Sequence, residues 1–129
     1  MPTIFTRIIR GEIPCEKILE DDRFFSFLDI RPIAPGHALV VPKIEVDNIF
    51  NLGSDYLRDM LPFAQRVAKA LEKAVPCIRV GLMVAGFEVP HAHLHLVPLQ
   101  SEGDLSFSKA KPASKEELQT VGKAVRAAL

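Results

Sequence analysis

The segment HAHLHLV, His91–Val97, alternates histidine with apolar residues and constrains the fold more than any other stretch of the chain. Because side chains alternate between the two faces of a β-strand, this spacing predicts a strand with one buried apolar face and one row of imidazoles. The histidines of the row are His91, His93 and His95. Core packing gives no reason for such a row, which therefore indicates a chemical site. The remaining histidine, His37, opens another predicted strand and can lie beside the row.

Apolar periodicity along the rest of the chain predicts an α+β fold. The predicted strands are 17–20, 24–29, 37–42, 78–85 and 91–98, and we expect the last two to be central. A short helix is predicted at 4–10, a long one from its N-cap Ser54 to Pro76, and a last one from Ser114, which forms a capping box with Glu117. Pro62 predicts a kink or a break in the long helix. The architecture is thus an antiparallel sheet of about five strands with one long helix and short terminal helices.

Composition excludes several classes of protein. The 129 residues, 48% of them hydrophobic, fit one domain over 1–129, with a motif-bearing core at 4–98 and a C-terminal loop and helix at 101–129. Sixteen basic and sixteen acidic residues give no positive field for polymeric nucleic acid or a membrane surface. No stretch of about 18 apolar residues predicts a membrane span. The segment MPTIFTRIIRGEIP also lacks the apolar core and cleavage pattern of a signal peptide, so we expect a cytoplasmic protein. Cys15 and Cys77 have no CxxC spacing, so we expect reduced structural thiols.

Two kinds of site fit a row of imidazoles. Neutral histidines ligate zinc or copper, and His37 can complete such a sphere, but Glu88 is the nearest acid to the motif. Alternatively, one imidazole attacks phosphorus and holds the phosphoryl group covalently, while its neighbours contact the phosphoryl oxygens and protonate the leaving group. A metal enzyme predicts activity that chelators abolish, whereas histidine nucleophilic catalysis does not.

HAHLHLV resembles the HφHφHφφ signature, with φ apolar, of the histidine triad family of nucleotidyl hydrolases and transferases. The segments IFTRIIRGEIP and FLDIRPIAPGHALVVPK also match this family, in order, so that the resemblance runs from Ile4 to Pro98. It implies the HIT-like fold and a homodimer that pairs through the long helix and the adjacent strand. It also implies hydrolysis of purine nucleoside phosphoramidates or related nucleotidyl compounds through a covalent nucleotidyl-histidine, without a cofactor.

The resemblance also implies a role for each histidine. His93 matches the nucleophile, and His95 matches the residue that contacts the phosphate and passes a proton to the leaving group. His91 matches a residue that braces the nucleophile, and His37 matches a further histidine that supports the cluster.

A nucleoside pocket carries over from the same family. Asp29 matches the acid that binds the ribose hydroxyls, since a carboxylate accepts two hydrogen bonds. Phe27, Phe5 and Ile8 match the apolar walls around the base, and Gly86 is retained in the loop before the triad. Without the resemblance, the three apolar residues are read as core and Asp29 as a turn or capping residue.

The sequence departs from the family at several positions. Phe87 stands where Gln is usual, and Glu88 stands where some relatives place a phosphate-contacting serine, so we expect Glu88 to point away or to pair with a base. Thr3 and Thr6 occupy the segment in which some bacterial relatives bind zinc through a cysteine pair, so no metal site is expected. These departures leave a catalytically weak nucleotide-binding or scaffold protein as an alternative. The loop at 101–113, with Phe107, can reach an active site.

Overall fold

The computed structural model describes residues 1–129, which form a five-stranded antiparallel sheet in the order β1-β2-β3-β5-β4. The strands are β1 Lys17–Glu20, β2 Phe24–Leu28, β3 Ala38–Pro42, β4 Arg79–Met83 and β5 Leu94–Leu99. The α-helices are α1 Ile4–Ile9, α2 Ser54–Ala74 and α3 Lys115–Ala127. Short 3-10 turns lie at Ile49–Asn51, Glu102–Asp104 and Phe107–Lys109. The predicted fold class is confirmed. None of the α-helices combines the length and the apolar composition that a membrane span needs.

The sheet carries a different apolar cluster on each face. Alternate residues of β2 point in opposite directions, so that Phe24 and Leu28 join the cluster beneath α2, whereas Phe25 and Phe27 join the one beneath α1. The α1 cluster also contains Phe5 and Ile8 from the helix, and Leu39 and Val41 from β3. The face that α1 covers is the one on which the imidazoles lie.

The long helix differs in two details from its prediction. Its N-cap is Gly53 instead of Ser54, and no side chain caps it. Pro62 lies inside α2, which continues without a break to Ala74. Proline removes one backbone donor, but Pro62 and Arg58, whose carbonyl loses that donor, are both exposed to water. The buried residues on the opposite side of α2 hold the helix against the sheet: Met60, Phe63, Ala64, Val67, Ala70 and Leu71.

The last two strands also differ from their predictions. The prediction that β4 is central is wrong, because β4 pairs only with β5 and forms an edge of the sheet. Apolar alternation indicates a strand but does not show which other elements cover it. In the structure, Leu82 of β4 is 44% exposed. Strand β5 begins at Leu94, not at His91. The preceding residues bond to loops instead of β3: the amide of His91 donates to Val89 O and that of Ala92 to Val46 O.

The C-terminal region is hydrogen-bonded to the segment between β2 and β3. As predicted, Ser114 caps α3, and its hydroxyl accepts a hydrogen bond from the amide of Glu117 at 3.1 Å. The reciprocal bond of the predicted capping box is not formed, because the Glu117 carboxylate accepts from the Ser114 hydroxyl and not from its amide. Just before the helix, the amide of Lys111 donates to Pro32 O at 3.2 Å, and that of Ala113 donates to Ile30 O at 3.1 Å. The loop that precedes α3 is therefore tied to the segment that joins β2 to β3.

A tight turn at Gly36 places the first histidine. The amide of His37 donates to Ala34 O at 3.0 Å, and Gly36 adopts a φ of +93°. A Cβ atom at Gly36 would lie 3.0 Å from Val75 Cγ2 and 3.1 Å from Pro98 Cγ, both in the core. The position therefore requires glycine for its backbone angle and for its packing.

Replacing Gly36 with Ala should lower the free energy of unfolding by about 1–3 kcal/mol from backbone strain, with an added loss from crowding. Gly11→Ala is the matched control, because Gly11 has a φ of +80° but no atom within 4 Å of an added Cβ. Urea unfolding of both variants should show the larger loss for Gly36→Ala. Equal losses would contradict the packing argument.

Candidate active site

The predicted site residues meet at a cleft of about 380 Å³ on the α1 face of the sheet. Those that line it are His93, His95, Asp29, Phe27, Phe5 and Ile8. His91 and His37 lie behind them and are fully buried, with relative exposures of 0% and 1%. Gly86 has a left-handed φ of +84° in the loop after β4, but it does not line the cleft; its neighbours Glu88 and Val89 do.

His91 is held by two hydrogen bonds that fix its proton. Its Nε2 lies 2.7 Å from Pro42 O, and a carbonyl oxygen only accepts, so Nε2 carries the hydrogen. Burial lowers the pKa of His91, and its neutral ring accepts a hydrogen bond at Nδ1 from the hydroxyl of Thr3, at 2.7 Å. The same hydroxyl accepts from the amide of Thr6 and so caps α1. The N-terminal helix is thereby joined to His91.

His93 is oriented by the backbone of His91. Its Nδ1 lies 2.7 Å from the carbonyl oxygen of His91 and therefore donates to it. In the neutral ring, Nε2 then keeps its lone pair, on the side of the imidazole away from this bond. The ring of Phe5 packs edge-on against His93, with centroids 5.0 Å apart, and limits the ring's rotation. The result is an unprotonated ring nitrogen available to the cleft.

His37 and His95 form a second directed pair. The buried amide of Ile33 donates to His37 Nδ1 at 2.9 Å, so the hydrogen of the neutral His37 ring lies on Nε2. That Nε2 lies 2.9 Å from His95 Nδ1 and donates to it. Burial lowers the pKa of His37 to about 4 and that of His95 to about 3, so both rings are neutral at pH 7. His95 therefore carries its hydrogen on Nε2.

The two cleft-facing imidazoles thus differ in what they offer. His93 presents a lone pair and His95 presents an N–H, and their ring centroids are 4.9 Å apart. A nucleophile beside a hydrogen-bond donor is the arrangement that displacement at phosphorus requires. Burial keeps His37 and His95 neutral in this pattern.

Asp29 lies at the end of β2, next to the histidine pair. Its amide donates to His37 O at 2.9 Å, and its Oδ1 accepts from the amide of Arg31 at 2.9 Å. Its Oδ2 lies 3.7 Å from His37 Nε2, too far for a hydrogen bond. Oδ2 therefore remains free to bind a ligand. Burial raises the pKa of this carboxyl.

One group of side chains has the spacing of a metal site. The donor atoms of Asp29, His37 and His95 lie within 4.8 Å of one another. His37 Nε2, however, carries the hydrogen that it donates to His95, because the amide of Ile33 already occupies its Nδ1. A metal here would displace a buried hydrogen bond, so the donor set does not fit a cation well. In the N-terminal segment, Thr3 Oγ1 lies within hydrogen-bond distance of both Thr6 Oγ1 and His91 Nδ1.

Several residues of the site escaped the sequence analysis. Thr3 and the backbone groups of Pro42 and Ile33 set the histidine protons, and only the T-x-x-T capping spacing at Thr3 leaves a trace in the sequence. Glu88 forms no ion pair with a basic residue; it is exposed and contributes to the lining of the cleft. Phe107 lines the cleft of its own chain.

Comparisons with known proteins identify the family of this chain. The HIT domain family matches residues 10–102. Adenosine 5'-monophosphoramidase from Saccharomyces cerevisiae is 35% identical over 121 residues, which cover 93% of this chain and 76% of that protein. The protein of the same name from Schizosaccharomyces pombe is 33% identical over 128 residues, which cover 97% and 96%.

Solved structures resemble this one over nearly its full length. A Hit-like protein involved in cell-cycle regulation from Bartonella henselae has a TM-score of 0.86 and 32% identity, covering 98% of this chain and 96% of that one. A Zn-bound histidine triad family protein from Mycobacterium smegmatis has a TM-score of 0.83 and 29% identity, covering 97% and 91%. The resemblance inferred from HAHLHLV is thereby confirmed, and the chain belongs to the HIT, or histidine triad, family.

Proposed function

We propose that this protein hydrolyses purine nucleoside phosphoramidates through a covalent nucleotidyl-His93 intermediate. The observation that carries the proposal is the unprotonated Nε2 of His93 beside the N–H of His95 in one cleft. Two curated relatives are named adenosine 5'-monophosphoramidases, which supports the same reaction here. A nucleotidyl hydrolase of phosphoramidase type is therefore the function that the site and its relatives support best.

The first step transfers the nucleotidyl group to the enzyme. The lone pair of His93 Nε2 forms a bond to phosphorus while the bond from phosphorus to the leaving nitrogen breaks. His95 Nε2 passes its proton to that nitrogen and takes up a replacement proton from solvent, so the nitrogen departs as the free amine and the His95 ring stays neutral. The nucleotidylated ring of His93 keeps its proton on Nδ1 and becomes cationic.

The second step releases the nucleotide. A water molecule attacks phosphorus and the bond to His93 Nε2 breaks. One proton of the water stays on the phosphate, and the other passes through His95 to solvent. The carbonyl of His91 accepts the hydrogen of His93 Nδ1 throughout, so the ring does not reorient between the steps. The products are the amine and a nucleoside monophosphate, and both histidines regain their starting protonation.

The nucleoside occupies the apolar end of the same cleft. Phe5 and Phe27 meet edge-on with centroids 5.6 Å apart, and with Ile8 they form a wall against which a purine ring packs. The carboxylate of Asp29 accepts hydrogen bonds from the ribose hydroxyls with the oxygen that Arg31 leaves free. AMP is therefore the expected nucleotide product.

The proposal extends to assembly and location. Apolar side chains on α2 and β4 are exposed together, and a shallow groove runs between Leu61 and Leu82. We place the interface of a homodimer on this face, which supports the expectation from the family resemblance. A cytoplasmic location fits the two free thiols, Cys15 and Cys77. We also take residues 1–129 to act as one domain.

Replacing His93 with Ala should reduce AMP release from adenosine 5'-phosphoramidate by at least about 10³-fold, because the nucleophile is lost. Calorimetric titration should show that the variant still binds AMP, since the nucleoside walls are untouched. A chelator should leave the wild-type rate unchanged. Retained turnover in the variant would refute the mechanism, and inactive wild-type protein that binds AMP would favour a nucleotide-binding protein.

Stability should fall as the pH drops from about 6.5 towards 4. The pKa values of His37 and His95 are about 4 and about 3 in the folded chain, against about 6.5 when unfolded, so the unfolded chain binds more protons in this window. Each histidine should contribute a slope of about 1.4 kcal/mol per pH unit there. Urea unfolding of wild type and His37→Asn should give a smaller slope for the variant. Equal slopes would contradict the assignment of a neutral buried pair.

Light scattering should give a dimer mass for the wild type. Leu82→Glu should shift the mass to that of a monomer, because a charge would be buried in the apolar interface. Phe50→Glu is the matched control, because Phe50 is 85% exposed and lies outside the α2 and β4 face. A monomeric wild type, or dissociation of the control as well, would overturn the placement of the interface.

A further inference from the structure

Phe107 brings an aromatic ring into the cleft from outside the region that the HIT family matches. That match ends at residue 102, whereas Phe107 opens the 3-10 turn Phe107–Lys109. Its ring lies edge-on to the ring of His95, with centroids 5.0 Å apart and an interplanar angle of 73°. The side chain is 37% exposed, so one side contacts His95 and another stays open to a ligand.

The loop that carries Phe107 is fixed in place. Within it, Lys109 Nζ lies 2.8 Å from Asp104 Oδ1, and the hydroxyl of Ser106 accepts a hydrogen bond from the amide of Ser108. Beyond it, Arg31 donates to the carbonyl of Ala110 at 3.4 Å, and the backbone bonds of Lys111 and Ala113 described above follow. The ring is therefore held at a set position beside His95.

The position of His95 defines what Phe107 contacts. His95 is already oriented by its hydrogen bond from His37, so it does not need the aromatic ring as a brace. In the proposed reaction, the leaving nitrogen lies against His95 Nε2. A ring packed on His95 therefore borders the space that receives the substituent of that nitrogen. Glu88 also lines this cleft, and its carboxylate opposes an anionic leaving group.

Resting on the proposed function, we infer that Phe107 forms the apolar wall of a subsite for the leaving group, and that this subsite takes amines with an aromatic or aliphatic substituent. The unsubstituted phosphoramidate releases ammonia, which is too small to reach the wall. A benzylamine leaving group gains the edge or face of the Phe107 ring. The wall thus sets a preference among amines and takes no part in proton transfer.

The test compares kcat/KM for adenosine 5'-phosphoramidate and for its N-benzyl derivative, by following AMP release. Wild-type protein should prefer the N-benzyl derivative. Phe107→Ala should reduce the ratio of N-benzyl to unsubstituted kcat/KM by about tenfold, because a buried apolar contact is lost. Phe107→Leu keeps an apolar side chain and should retain a larger share of the ratio. Phe50→Ala removes an exposed ring that does not line the cleft and should not change the ratio.

The outcomes separate the inference from the function on which it rests. Equal losses on both substrates in Phe107→Ala and Phe107→Leu would mean that the ring only supports His95, and an unchanged ratio would mean that it contacts no leaving group. Either result overturns the inference and leaves the proposed function standing. No AMP release from either substrate by the wild type overturns the proposed function, and the inference falls with it.

Discussion

The site depends on hydrogen bonds from the backbone to imidazole rings. Three buried contacts, at Pro42 O, at His91 O and at the amide of Ile33, each involve a group that can play only one part, as acceptor or as donor. They determine on which nitrogen each neutral ring carries its hydrogen. The difference between the His93 ring, which donates from Nδ1, and the His95 ring, which accepts at Nδ1, follows from this, since the two side chains are chemically identical.

The fold serves this arrangement by bringing together distant parts of the chain. The turn at Gly36 presents the amide of Ile33 to His37, and the antiparallel pairing of β3 with β5 brings His37 beside His95. The end of β3 supplies Pro42 O, and α1 supplies Thr3. Burial lowers the pKa values of His37, His91 and His95, because a charged imidazole would lose its hydration. The packing that buries these rings therefore also favours their neutral form.

The sequence predicted the sheet, the three helices and six of the side chains that line the cleft, because period-two and helical patterns and the triad motif are local signals. The sequence analysis predicted a central position for β4, because the apolar alternation that includes Leu82 looks the same in a central strand and in an edge strand. It also missed the partners of the histidines. Backbone groups such as the amide of Ile33 have no residue identity, so only the folded chain reveals their contacts.

The chemistry and the walls of the cleft come from different parts of the molecule. Strands and their turns, with Thr3 at the start of α1, determine the state of the imidazoles, whereas the apolar residues of α1 and the loop around Phe107 supply the surfaces on either side. The hydrogen bonds of His93 and His95 involve no residue of the loop around Phe107. A scaffold divided in this way can acquire new substrates by small surface changes while it keeps a single reaction.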